Sequence, residues 1–441
     1  MATTKLSRTI GTPTSGTKFT ISAWVKGSMA EGRILTSING NSSQTWVELQ
    51  NSGAFRIANY VGSYNMQLIT TRLFRDPSAW YNFVIAFDTT QVTDTNRVKL
   101  YVNGVQETSF STTTYPSQNL VLKYGVSGQT FNVGAKDTDT YWNGLMSHVH
   151  FIDGLQYAAS DFGSVDSTSG IWTINTSPSV TYGNNGFFIL KDGNSVTDQS
   201  GKGNNFTVAS GTLTKTEDCP DNNFCTINPL DNYWQGSTFA NGNNTVTTGS
   251  NSTTYNTTSF MMATGKFYAE CKVISGAAGN QIGVGSNLTA SVSASLGTGG
   301  EGFVYKENGY YETGGSAVSF GDAYVNGDII GVALDVTSAT PQLYFSKNGV
   351  FQGSGNPSAG TGGKSITAVA STTIGAYFFG FCDTATDNTR VHGWNFGNGY
   401  FATTAVTTNS GNGYAGAEGK SIFNYQPPNL YSALSTKGLN L

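Results

Sequence analysis

Carboxylates, histidines, cysteines and aromatic rings are the groups through which this chain could act, and their spacing narrows the chemistry. Cleaving a glycosidic bond takes two acidic residues flanking it, which on one strand means carboxylates two or four apart. No such set occurs: Glu270 and Asp335 stand alone in apolar runs and read as residues on a solvated face or at a strand end. The three histidines, His148, His150 and His392, lie near no Gly-x-Ser-x-Gly elbow. His148 and His150, two apart on one strand face, read as an exposed pair, since no Cys or Glu stands at a matching metal-ligand spacing. Four cysteines are too few and too scattered for a disulfide framework or a zinc site. Cys271 and Cys382 read as buried thiols, while Cys219 and Cys225 could be bridged only if the loop between them folds back. Binding chemistry remains. Tyr60, Tyr64, Trp234, Tyr310 and Tyr311 fall in loop-like or irregular stretches, where flat rings beside Asn and Asp groups could recognise sugars. A core or subunit-contact role suits each of them as well.

The elements that must position these residues are strands. Of 441 residues, 11% are charged and 12% aromatic, with 55 glycines against 10 prolines, the composition of an all-β protein with many turns. Alternating runs recur about every ten residues: 18–26, 45–49, 54–58, 80–87, 97–102 and 130–134, then 141–154. In the last of these the inward set is Trp142 or Leu145, then Ser147, Val149 and Phe151, with His148 and His150 opposite. Asn103-Gly104 and Asn348-Gly349 each follow a Leu-Tyr strand and supply the two positive-φ residues of a tight hairpin. The second closes a strand-turn-strand unit over 326–353, so both halves use the same meander grammar. The length suits two domains, and the Pro-containing polar stretch at 211–237 reads as the linker between them. The net charge of -4, without a basic cluster, argues against nucleic acid or an anionic membrane as partner. No apolar run is long enough to span a membrane, and the first residues lack a signal-peptide core.

Four ordered motifs, Ser-Ala-Trp-Val-Lys (22–26), Trp-Tyr-Asn-Phe-Val-Ile-Ala-Phe (80–87), Leu-Tyr-Val-Asn-Gly (100–104) and Trp-Asn-Gly-Leu through Phe-Ile-Asp-Gly (142–154), resemble a laminin-G or concanavalin-A-like jelly roll over 8–163. Ser160-Asp-Phe-Gly, Asn185-Gly-Phe-Phe-Ile-Leu and the 198–206 segment resemble structural proteins of tailed bacteriophages that carry such a domain. From 238 to 402, Gly-Lys-Phe-Tyr-Ala-Glu, Gly-Asp-Ile-Ile-Gly-Val-Ala-Leu-Asp and Trp-Asn-Phe-Gly are similar, in that order, to a SPRY-type sandwich. The last stretch, 423–437, again resembles the phage group, in which further sequence would follow. These resemblances imply two tandem antiparallel β-sandwiches: 1–210 the jelly roll with its trailing extension, 211–237 the linker, 238–402 the SPRY-like sandwich and 403–441 a tail. The laminin-G likeness also implies calcium bound through loop oxygens, for which Asp137 and Asp139 are the candidates; both are equally ordinary turn residues.

The resulting expectation is a non-enzymatic virion surface protein, either a capsid decoration or a component of a tail fibre or spike. It would contact other virion proteins and host surface polysaccharide, with no cofactor apart from the calcium. It would act at the virion surface without membrane insertion, and copies would associate, with a trimer favoured. The lack of an anchoring segment before the first strands tilts the location toward the head or a small accessory fibre. Two alternatives stand beside it: a glycan-cleaving enzyme on the concanavalin-A-like scaffold, and a SPRY-type adaptor that captures a peptide.

Overall fold

Both Asn-Gly pairs turn as expected. Asn103 and Gly104 have φ of 47° and 81°, Asn348 and Gly349 have 49° and 82°, the left-handed pair of a two-residue hairpin. The turns are built alike. Asn103 Oδ1 accepts the Asn82 N–H at 2.8 Å, and Asn348 Oδ1 accepts the Ile329 N–H at 2.9 Å. An aromatic ring lies on each glycine: a Cβ at Gly104 would come within 2.4 Å of Trp172, and one at Gly349 within 2.5 Å of Tyr425.

These hairpins belong to two units, Met1–Lys215 and Thr216–Leu441, of a computed structural model that describes residues 3–27, 30–191, 195–232, 236–249, 254–287, 295–385, 389–406 and 413–440. Each unit is an antiparallel β-sandwich, and helix among the described residues is limited to 3-10 turns of three residues. In the first, an eight-stranded sheet runs Phe110–Thr114, Tyr64–Leu73, Ala54–Val61, Ser43–Leu49, Gly32–Ile38, Thr130–Val133, Lys5–Thr9 and Thr207–Ser210. The facing six-stranded sheet runs Phe187–Ile189, Gly144–Asp153, Lys18–Gly27, Tyr81–Asp88, Val98–Val102 and Val105–Glu107. Alternation along each strand sends one side chain in two to the shared core, where Val47, Ile57, Phe83, Leu100, Val149 and Phe151 are buried.

In the second unit the central strands are Val391–Asn395, Lys266–Ser275, Ile329–Asp335 and Gln342–Lys347, hydrogen-bonded in that order. They face a sheet running Thr254–Thr257, Phe378–Asp383, Asn280–Gly285, Gly302–Lys306, Tyr310–Thr313 and Ser316–Ser319. Phe267, Cys271, Val332 and Phe345 fill the space between the two sheets.

The segments read as linker and tail differ from that reading. Tyr268, Ala333 and Tyr344 point away from the main core and would leave an apolar patch in water. Phe224, Phe423, Tyr431 and Ala433 cover it, forming a second buried cluster. Ser432–Ala433 adds in parallel to the start of Lys266–Ser275. Strands buried on both faces need cover on both, so residues 218–227 and 414–435 are a third layer of the second sandwich. The first unit has a similar layer, in which Phe162 and Tyr182 cover Val84, Ile152 and Phe188 of the six-stranded sheet.

Candidate functional site

The outward face of the eight-stranded sheet carries polar chemistry among buried rings. With Val47 and Ile57 inward, pairing puts Gln44, Trp46 and Glu48 on the outer face opposite Tyr60, Ala58 and Arg56. Glu48, fully buried, takes the Arg33 Nε at 2.7 Å and also the Arg56 guanidinium. Arg33 lies over the Trp46 ring at 4.1 Å and Arg56 at 5.6 Å from its centroid. Gln44 accepts from Arg33 Nη1 at 2.9 Å. Burial pulls the Arg33 guanidinium below its ordinary pKa, against the nearby Glu48 carboxylate. Two guanidinium groups thus share one buried carboxylate.

Next to this network the hairpin of Ala54–Val61 and Tyr64–Leu73 brings two expected residues together. Tyr60 and Tyr64 are cross-strand partners with rings 5.2 Å apart, edge to face, and Tyr64 lies 6.1 Å from Trp46. Tyr64 is 44% exposed. Gln67 stands on the same face, opposite Ala58. Among the described residues, neither Trp46 Nε1 nor its cross-strand neighbour Thr36 Oγ1 has a hydrogen-bond partner. Exposed rings beside amide and guanidinium donors can stack on and hydrogen-bond a polar ring. At the far side of the same sheet a cleft of about 200 Å³ is lined by Lys5, Ser7, Asn39, Asn132 and Asp137.

The other expected residues are elsewhere. Tyr311 is buried at 7% and belongs to the second unit's core, so it offers no sugar-binding face. Neighbouring Tyr310 is 41% exposed at the start of its strand. Trp234 lies outside the described residues. Asp137 binds Lys5 at 3.1 Å, and Asp139 binds Lys136 at 3.4 Å. The Thr140 hydroxyl, and then Lys136, hold Asp139 below the usual carboxylate pKa. Among the described residues no three His, Cys, Asp or Glu gather as metal ligands.

The histidines are not an exposed pair. His150 is buried, stacked on Phe188 at 3.9 Å with the Tyr182 hydroxyl 2.9 Å from Nδ1. Burial pushes its pKa well below 6.5, so it stays neutral. His148 sits half-buried at φ 48° beside Phe188. His392 is buried against Phe381 and pushed down to about 3 by burial. All four cysteines are free, and Cys271 and Cys382 are buried as expected.

Of the lone carboxylates, Asp335 does sit at a strand end, paired with Lys266 at 3.0 Å. Glu270 does not face solvent. It is fully buried and accepts the Asn424 N–H at 2.9 Å, the Tyr425 N–H at 2.8 Å and Asn395 Nδ2 at 3.1 Å, with the Tyr268 hydroxyl at 3.3 Å. Burial raises its pKa to about 7, despite those donors. No second carboxylate is among its partners, so its work is to hold the tail.

The arginine–glutamate network escaped the sequence reading because only the sheet register brings residues 33, 48 and 56 together. A signal was present: Trp46 and Glu48 occupy positions that alternation assigns to the outer face, where a tryptophan needs a reason.

Residues 4–159 match the family model of the concanavalin A-like lectin/glucanases superfamily. This is the first sandwich, the one with the Tyr60–Tyr64 face. Comparison with curated proteins returns no match. Among solved structures, the chain is similar to the SPRY domain of human HERC1, with 16% identity, 38% of this chain and 96% of that one covered, and a TM-score of 0.29. It is also similar to a heptameric SAP-like pentraxin from Limulus polyphemus, with 15% identity, 35% and 72% coverage and a TM-score of 0.27. A third is domain 4 of AbnA, an extracellular arabinanase from Geobacillus stearothermophilus, in complex with arabinotriose, with 16% identity, 32% and 63% coverage and a TM-score of 0.24.

Proposed function

We propose that this chain is a non-enzymatic surface protein of a tailed-bacteriophage virion, a capsid decoration or a component of a fibre or spike, that holds host surface polysaccharide on the Tyr60–Tyr64 face. The observation that carries the glycan reading is the pair of exposed Tyr64 and half-buried Tyr60 beside Arg56 and Gln67, in a unit whose family model groups lectins with glucanases. Binding rather than cleavage is supported by the state of three buried or strand-borne carboxylates. Glu48 is held by two arginines, Asp335 by a lysine, and Glu270 is enclosed by donors of its own chain. A glycosidase needs one carboxyl free to give a proton and another to attack or activate water. Placement on a virion is supported by the motif resemblance of residues 160–206 and 423–437. A single shallow face binds a sugar weakly, so attachment would draw on many copies, associated as trimers, on one particle.

The test is to incubate purified protein with capsular and lipopolysaccharide fractions of the host while following bound material and reducing ends. Binding without new reducing ends is the expected result. Sustained release of reducing ends contradicts the non-enzymatic reading, and failure to bind any fraction contradicts the glycan reading. Antibody labelling of virions in negative stain tests the location separately.

A further inference from the structure

The six-stranded sheet of the second unit carries, on the face away from the main core, a small apolar cluster of Tyr255, Leu296, Val304, Phe378 and Cys382. Three polar side chains converge against it. Gln281 and Lys306 are direct cross-strand partners, and Glu312 sits on the next strand opposite Val304. One Glu312 oxygen accepts the Gln281 amide N–H at 3.2 Å, and the other accepts the Lys306 ammonium at 2.5 Å. Gln281 is 1% and Glu312 5% exposed. From above, the Gly297 backbone N–H donates to Gln281 Oε1 at 3.0 Å. A Cβ at Gly297 would come within 2.8 Å of Glu312 Oε1 and 2.7 Å of Val304, so only glycine lets the backbone close on the pair.

An ion pair needs only a lysine and a carboxylate; this site adds a carboxamide bridged to the same carboxylate and a backbone donor on the carboxamide oxygen. Those are the parts of an acyl transfer: an amine, a polarised carbonyl, an oxyanion donor and a proton carrier touching both the amine and the leaving nitrogen. We propose that Lys306 and Gln281 join in an autocatalytic isopeptide bond. Glu312, in contact with the ammonium, takes a proton from Lys306 Nζ. The freed Nζ attacks Gln281 Cδ, and the Gly297 N–H holds the developing oxyanion. Glu312 gives that proton to Nε2, the Cδ–Nε2 bond breaks and ammonia leaves, and Glu312 takes the second Nζ proton, ending as the neutral acid. One C–N bond forms, one breaks, and no oxidant is consumed. The product locks two neighbouring strands covalently.

Intact-mass spectrometry and peptide mapping of the folded full chain test this. The expected protein is lighter than its sequence by one ammonia, with the peptides of Gln281 and Lys306 recovered joined and resistant to hydroxylamine. Lys306→Arg and Glu312→Gln should each restore the sequence mass. Succinimide formation at an Asn-Gly pair, or a thioester to Cys382, the other cross-strand neighbour of Gln281, also releases ammonia. Mapping the loss to either place overturns the proposal. So does recovery of unlinked Gln281 and Lys306 peptides from wild-type protein, whatever the variants do.

Discussion

Glu270 is the residue whose environment departs furthest from its sequence context. A glutamate in Lys266–Ser275, among Tyr268, Cys271 and Val273, reads as solvated because carboxylates avoid burial. It is buried because the chain returns more than 150 positions later to supply two backbone N–H donors, and no local pattern announces such a return. Its folded pKa of about 7 lies above the ordinary 4.5, so the folded state binds the extra proton between those values. Its contribution to stability is therefore full below about pH 4.5, declines as pH rises through about 7 and is flat beyond. The decline should be on the order of 2–4 kcal/mol. Chemical denaturation of wild type and Glu270→Gln across pH 4 to 8 checks it: the difference between the two should change over that window, and a constant difference contradicts the assignment. In the first unit, Glu48→Ala leaves two arginines without their buried partner and should cost about 3 kcal/mol or more, read as a lowered denaturation midpoint with an unchanged slope.

At the scale of elements, most strands were legible because alternation and Asn-Gly turns are local signals. Lys18–Gly27, Tyr81–Asp88 and both hairpins fall where the pattern puts them. Less visible was the covering layer, yet Ile329–Asp335 is apolar at six of its seven positions instead of alternating, which is the mark of burial on both faces. Tyr311 was misread for a related reason: in Tyr310-Tyr311 the strand puts one ring outward and the next into the core, and only register decides which. Gly349→Val should be destabilising by about 1–3 kcal/mol, from strain at positive φ and from the clash with Tyr425. Thermal melts of Gly349→Val and Gly104→Val should both fall; an unchanged melt for either would show that its aromatic cap is not packed.

For the whole molecule, two tandem all-β sandwiches were readable from composition and motif order, whereas the packing of the connecting stretch and the tail against the second sandwich was not. A polar, Pro-containing stretch resembles a spacer whether it hangs in solvent or lies across a sheet, and residues 218–227 do the second. Brief trypsin treatment should therefore cut first at Lys215, at the junction of the units. A parallel chymotrypsin digest should spare Phe224; an early cut there would show the covering layer to be loose. Removing residues 413–441 should expose the Tyr268–Tyr344 patch and cause aggregation, measured by light scattering.

The proposed hold on polysaccharide belongs to the tyrosine face of the first sandwich. Affinities of wild type, a Tyr60→Ala/Tyr64→Ala double variant and a Tyr310→Ala control for the polysaccharide that wild type retains test it most directly. The double variant should bind at least about tenfold more weakly, with 1.4 kcal/mol per decade as the scale, while Tyr310→Ala binds as wild type does. Undiminished binding by the double variant, with its fold intact by circular dichroism, would contradict the account.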